Sequence, residues 1–469
     1  MDTIVYLAQI ISNVEWAIGI HCWCFLLRLC NKQNAAHNTT TSHQYDELMK
    51  IADVAIIGAG VAGLTAAREL SCAGMHVLLL EGRDRIGGRI FTHHTSEYPV
   101  ELGAEFIHGR PPEIFDLVRE NNLRLSEMKW KVARRKENRW IEDDQIMDAV
   151  DKLFAKMSTD EPDQSFQEFI DRVDVSLEAK DQARRFVEGF HAADPRCISV
   201  HSLVKSNAAD EKIDGGRQFR FEQGYETLVK SISDRINRKS CELQLNSRVT
   251  GVEWKPDNVV LKTSSAQFQA QRAIVTVPLG VLKAGSIRFN PALRDKEKAL
   301  QGLETGPVIR ASLCFRGKFW EEQERFQDVS FLFTDDPQYP TWWTSNPLPF
   351  PILTGWAAGH HAKALINLSA EQVVHRALES LARIFDIDIA SLERELQAGF
   401  THDWEVDPFS RGAYSYPLVG GSDAGRELES PLCSTLFFAG EATDSEGHNG
   451  TVHGAIASGL RVAKAVVDG

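Results

Sequence analysis

Residues 53–89 read DVAIIGAGVAGLTAARELSCAGMHVLLLEGRDRIGGR, and this stretch decides the fold. Residues 54–57 are a short apolar run of strand type. They lead into Gly58-Ala59-Gly60-Val61-Ala62-Gly63 and then a helical pattern with Leu64, Ala67 and Leu70 on one face. In such a turn Gly58 permits the sharp bend, Gly60 lets backbone approach a pyrophosphate, and Gly63 lets helix and strand lie close. The helix start then offers free N–H groups and a positive dipole end to phosphate. A second strand, residues 76–80, ends in Glu81, 23 residues beyond Gly58. An acid at that place accepts hydrogen bonds from a ribose hydroxyl. Strand, turn, helix, strand and acid in this order predict a dinucleotide site.

The continuation Arg83-Asp84-Arg85-Ile86-Gly87-Gly88-Arg89 favours FAD over NAD. Adjacent glycines, Gly88 among them, bring more backbone against phosphate, while Arg83 and Arg89 supply charge-assisted contacts.

The 469-residue length corresponds to about three units of domain size. Composition is globular, with 43% apolar and 25% charged residues and nothing low in complexity. A formal charge of −13 argues against nucleic-acid binding and does not oppose a cationic substrate. Eight cysteines with no CxxC suggest reduced thiols, a cytoplasmic location and no metal. Residues 1–30 are apolar but broken by Asp2, Glu15, His21 and Arg28, so no run approaches the ~20 residues that span a bilayer. The start also lacks the basic n-region of a secretory signal. Stable membrane insertion is not expected.

The chain reads as an α/β protein in which a Rossmann-like FAD-binding domain, carrying the GxGxxG turn, is interleaved with an α+β substrate domain and a helical insertion. Residues 1–50 are an N-terminal extension and linker. Residues 51–110, 204–286 and 404–469 make up the cofactor domain. Residues 111–203 form the helical insertion of the substrate domain, and 287–403 its sheet, built from short aromatic-rich strands between Pro and Gly turns. One amphipathic helix is expected at 370–384. The buried strand 273–277 stops at Pro278, residues 436–439 are a strand of parallel type, and 452–467 a helix.

Together these residues resemble the flavin amine oxidase family of monoamine, polyamine and L-amino-acid oxidases and flavin histone-lysine demethylases. The resemblance covers residues 52–469. It is carried by the N-terminal fingerprint, by TVPLGVLK at 276–283, by FAGEAT at 438–443 and by GTVHGA at 450–455. The texture of VEGFHAADP (187–195) and GAYSY (412–416) is similar to bacterial members, and the length leaves no room for the demethylases' chromatin-binding domain. The resemblance implies hydride transfer from the carbon beside a neutral amine to flavin N5, imine hydrolysis, and reoxidation by O2 to give H2O2. The implied partners are a small amine and O2, with oligomeric state open.

The same resemblance assigns residues. Gly440 and Glu441 lie beside the cofactor's ribityl or pyrophosphate region, Val249 contributes to its cradle, and Thr451 and Val452 open a helix toward the flavin pyrimidine. Arg310 stands where the family usually has a lysine that holds a water at N5. Arginine still holds a water but cannot cycle through a neutral form, so altered O2 reactivity or an unusual substrate is expected. Tyr414 matches one wall of the monoamine oxidases' tyrosine cage, and Thr451 occupies the other. Ala413 sits where those enzymes attach flavin through cysteine, so non-covalent FAD is expected. His108 matches an active-site His or Glu of polyamine oxidases, with His448 near the same place. Trp342, Trp343 and Trp356 offer aromatic faces to a cation, with at least one in the core. Three alternatives stay open: an L-amino-acid oxidase that recruits Arg310 for the carboxylate, a C–C dehydrogenase, and a catalytically drifted flavoprotein.

Overall fold

Ala52–Ile57 is the strand the pattern requires, and Val77–Leu80 pairs with it in parallel. The computed structural model describes residues 51–136, 139–142 and 146–469. The expected extension and linker at 1–50 lie outside them. A parallel row runs Cys241–Gln244, Val77–Leu80, Ala52–Ile57, Gln267–Val275 and Leu436–Phe438 within an eight-stranded sheet.

Gln267–Val275 is the pivot of this sheet. Its last residues, 273–275, pair with 436–438, while 267–270 turn to an antiparallel ribbon of Asn258–Thr263 and Val249–Lys255. Strand alternation then fills two cores. Val54 and Ile56 face Leu64 and Leu70 of the helix Val61–Cys72 and Ile456 and Val462 of the helix Val452–Asp468. Ala55 and Ile57 face Val252, Val259 and Leu261 of the ribbon. The C-terminus therefore completes the layer begun by the first helix.

The second sheet has seven strands, in the order Leu396–Phe400, Val308–Phe315, Ile352–Ala358, Thr341–Thr344, Phe331–Phe333, Val132–Lys136 and Arg139–Glu142. The expected helix, Ala370–Phe385, begins in a capping box between Ser369 and Gln372 and packs Val373, Ala377 and Leu381 on Leu313 and Leu353.

Three expectations need correction. Residues 111–203 are not helical throughout, because Leu125–Glu127, Val132–Lys136 and Arg139–Glu142 are strands. Charges such as Arg134 and Lys136 masked the pattern of the last two, which the pairing of Val132–Lys136 with Phe331–Phe333 draws into the second sheet, while Leu125–Glu127 pairs with Gln218–Phe221 in a separate three-stranded sheet. Arg288–Asn290, placed by sequence at the start of the substrate sheet, pairs instead with residues 251–253 in the first. The helix Ile389–Glu395 was not anticipated. Among the described residues no helix is long and apolar enough to cross a membrane.

Candidate active site

The parallel strands end together, and their carboxyl ends open on a cavity of about 1110 Å³, the place where open α/β sheets bind ligands. Gly58 there has φ +106°, a region L side chains rarely adopt. A Cβ at Gly63 would lie 2.0 Å from the Gly58 carbonyl oxygen, so only glycine lets the helix Val61–Cys72 approach this closely. No side chain caps that helix at Gly60, which leaves its first amides for a ligand.

Glu81 is buried, with its carboxylate accepting from the Ala59 amide at 2.7 Å and the Arg83 amide at 2.9 Å. The acid is thereby held at the head of the glycine turn. Arg83 is locked to Asp407 by two bonds of 2.7 and 2.8 Å. Arg89 donates to the Ala413 carbonyl at 2.7 Å and to Glu441 at 2.8 Å. Glu441 is a strut: besides Arg89 it accepts from Ser415 Oγ at 2.5 Å and the Gly450 amide at 2.9 Å. One buried carboxylate thus ties the arginine loop, the strand Tyr414–Pro417 and the helix-opening turn together. Gly60, Gly88, Val249, Gly440, Thr451 and Val452 line the same cavity. Gly63 does not line it and acts through helix packing. An uncapped helix start, a buried acid at the second strand's end and a cluster of close-approach glycines fit a dinucleotide such as FAD.

The other part of the cavity is aromatic. Arg310 lies opposite Trp356 in the pairing of Val308–Phe315 with Ile352–Ala358, and Thr341 lies opposite Trp356 on its other side. The two-residue period puts Arg310, Trp356 and Trp343 on the cavity face and Trp342 on the other. Trp342 is accordingly fully buried in the core, with Nε1 donating to the Tyr339 carbonyl at 3.0 Å. Trp343 and Trp356 stand 5.4 Å apart by ring centroids and line the cavity. Tyr414 completes the wall, its hydroxyl donating to the Phe190 carbonyl at 2.6 Å. Burial pushes that hydroxyl's pKa up.

Arg310 is 3% exposed and donates to the Gly103 carbonyl at 2.8 Å and to Glu105 at 2.6 Å. Glu105 also faces the buried Arg220 at 3.3 Å. Neither Glu105 nor Arg220 was assigned a role from sequence. The available signal was an arginine between two phenylalanines in the strand Gln218–Phe221, where a buried charge requires a partner.

His108 lines the cavity, its ring edge-on to Phe190 at 5.2 Å, and burial lowers its pKa to about 4. The histidine of this region that reaches the cavity is His453 of the GTVHGA segment, not His448, which precedes that segment. His448 sits behind it, 3.1 Å from His453 Nε2. Burial first, then His448 and His108, lower the His453 pKa to about 3. Thr451 is the N-cap of the helix Val452–Asp468, accepting from the Gly454 amide at 3.0 Å and donating to the His448 carbonyl at 2.6 Å. Its hydroxyl is therefore committed to the protein. The described cysteines Cys72, Cys197, Cys241, Cys314 and Cys433 are free thiols, and none lines the cavity.

A family profile described as flavin containing amine oxidoreductase matches residues 61–160 and 129–467. The chain belongs to this family of flavin-dependent, amine-oxidising oxidoreductases. Polyamine oxidase 2 of Arabidopsis thaliana is 29% identical over 457 residues, covering 88% of this chain and 87% of its own. Lysine-specific histone demethylase 1 homolog 1 of the same plant is 30% identical over 446 residues, again covering 88% of this chain. The chain spans about half of that relative's length, 51%. Putrescine oxidase bound to putrescine shares the fold with TM-score 0.75 at 23% identity, covering 89% of this chain and 99% of that one. Cyclohexylamine oxidase from Brevibacterium oxydans gives 0.74 at 21% identity over the same shares.

Proposed function

We propose that this protein oxidises the C–N bond of a small primary or secondary amine of polyamine-like character, using non-covalent FAD. The observation that carries the reading is a single cavity that joins the glycine turn at Gly58 and Gly60 to a chamber walled by Trp343, Trp356, Tyr414 and His108. FAD, when bound, supplies the hydride acceptor and returns the electrons to O2.

The chain's residues position the amine. Trp343, Trp356 and Tyr414 present aromatic faces that attract a cationic amine as it enters. His108 and His453 remain neutral at neutral pH, so they offer hydrogen bonds without repelling it. Glu441 holds the Gly450 turn, from which the helix Val452–Asp468 starts, so the positive end of that helix faces the cavity. The apolar faces of this aromatic wall favour the neutral amine, the form that can lose hydride.

Non-covalent binding is supported by Ala413 at the cavity wall and by the lack of cysteine among the described lining residues. The L-amino-acid oxidase alternative is weakened because the Arg310 guanidinium is already engaged by Glu105 and the Gly103 carbonyl. The test is turnover of spermidine, spermine, acetylated polyamines, aromatic monoamines and L-amino acids, followed by H2O2 release. Oxidation of a polyamine or other amine with one H2O2 per turnover supports the proposal. Turnover of L-amino acids alone would replace it.

A further inference from the structure

Glu188, His360 and His361 each place one ligand atom within 4.8 Å of the others, and Glu188 and His361 line the cavity. Glu188 comes from the last turns of the helix Leu177–Phe190. The two histidines follow directly on the strand Ile352–Ala358 after Gly359. Glu188 Oε1 lies 3.3 Å from His360 Nδ1, and the two imidazole rings are 3.9 Å apart by centroids.

A second observation concerns tautomer. His361 Nδ1 is 2.8 Å from the Pro337 carbonyl oxygen. A carbonyl only accepts, so Nδ1 carries the hydrogen and Nε2 keeps the free lone pair. A backbone carbonyl that fixes the tautomer and orientation of an imidazole is the usual outer partner of a metal-ligating histidine. Charges of both signs surround the cluster. Arg184 and Asp194 act on Glu188, while Arg185 and Asp336 act on His361.

We propose that Glu188, His360 and His361 form a site for a divalent transition-metal ion of the zinc class, with two imidazoles, one carboxylate and an open position for water. Imidazole and carboxylate suit zinc, copper and nickel, and three protein ligands plus water is the open form of such sites. This departs from the expectation of no metal, which rested on cysteine spacing and overlooked two consecutive histidines facing a helix carboxylate. His360 is 60% exposed whereas Glu188 is 17% exposed, so the ion enters from solvent and sits in the cavity wall. Its consequence for turnover rests on the amine-oxidase reading: a dication in that wall repels a cationic amine and raises KM.

Zinc titrated calorimetrically into the full-length flavoprotein, in a non-chelating buffer, tests the site. The wild type binds at a single saturable site, and Glu188→Gln, His360→Gln and His361→Gln each weaken it by more than the ~10–100-fold that loss of an outer-shell partner alone costs. His375→Gln, at a histidine near Glu379 and Glu393 on another helix, leaves it unchanged. The exposed position of His360 makes its variant safe for folding. Absence of a saturable site in wild type, or equal affinity in all variants, overturns the proposal. Calorimetry reads binding without turnover, so its failure is distinct from failure of the amine assignment. If zinc binds but leaves KM for the amine unchanged in wild type, the repulsive effect is overturned.

Discussion

Arg310 Nη2 lies 2.6 Å from Glu105 Oε2, and the other oxygen of that carboxylate faces Arg220 at 3.3 Å. Two buried guanidiniums therefore share one carboxylate in the wall of the aromatic chamber, where Trp343 Nε1 also donates to it at 3.1 Å. Burial raises the pKa of the neighbouring Glu101 to about 8, so it contributes little negative charge at neutral pH. Glu105→Gln leaves both arginines buried without a counter-charge. Breaking a buried pair in this way costs about 3–5 kcal/mol. Urea denaturation of the variant should show a loss of this size, and a loss under ~0.5 kcal/mol, the ordinary size of a surface substitution, would contradict the pairing.

Arg310→Lys tests the meaning of arginine at this position. Lysine is a point donor that shifts its pKa readily, whereas arginine stays charged and makes two directed bonds here. The variant is expected to change the rate of flavin reduction, of reoxidation, or both, in rapid-mixing experiments that follow each half-reaction separately. Unchanged rates in both would remove Arg310 from the chemistry.

Glu441→Ala removes a carboxylate that three segments share. Hydrogen bonds to a charged group contribute about 1.5–3 kcal/mol, which converts to ~10–100-fold in affinity. The flavin should accordingly be lost on gel filtration or dialysis while the folded protein remains, as judged by circular dichroism. Full flavin retention by the variant would show that Glu441 does not organise the cradle.

His453 makes stability depend on pH in a definite direction. Its folded pKa is about 3 against 6.5 for the unfolded chain, chiefly because of burial. Between these values the unfolded state binds the extra proton, so stability falls as pH drops. The slope from this one group is about 1.4 kcal/mol per pH unit. His453→Asn should flatten the stability profile between about pH 4 and 6 by roughly this slope. His108 and His191, each lowered to about 4, continue to act in the same direction. An equally steep profile in the variant would mean that His453 is not held neutral.

The cofactor half was legible because its chemistry is local. The turn from Gly58 to Gly63 and the acid at Glu81 lie within one βαβ unit, so spacing alone places them. The aromatic chamber was legible only in part. Trp342 and Trp343 are adjacent in sequence, and their opposite fates follow from strand alternation once the register of Thr341–Thr344 against Ile352–Ala358 is known. Pairings across long separations were hidden for the same reason. Glu105, in the turn between the strands Pro99–Glu101 and Ile107–His108, meets Arg310 across 205 residues and Arg220 from yet another strand, and no periodicity reports such a meeting. His453, at the start of the helix Val452–Asp468, reaches the cavity while His448, in the turn before it, stands behind, and sequence spacing alone does not report which of two histidines five residues apart faces inward. The strands at 132–136 and 139–142 were missed because three consecutive charges, Arg134 to Lys136, break any alternation, and pairing with Phe331–Phe333 is what makes them part of a sheet.

The reaction proposed for this cavity is removal of hydride from the carbon beside an amine. The most direct measurement is anaerobic bleaching of the purified protein's visible flavin absorption by the amine panel. One class of amine, polyamine-like in character, is expected to bleach the flavin, and admitting air to restore the colour with H2O2. A yellow protein that no amine bleaches would contradict it.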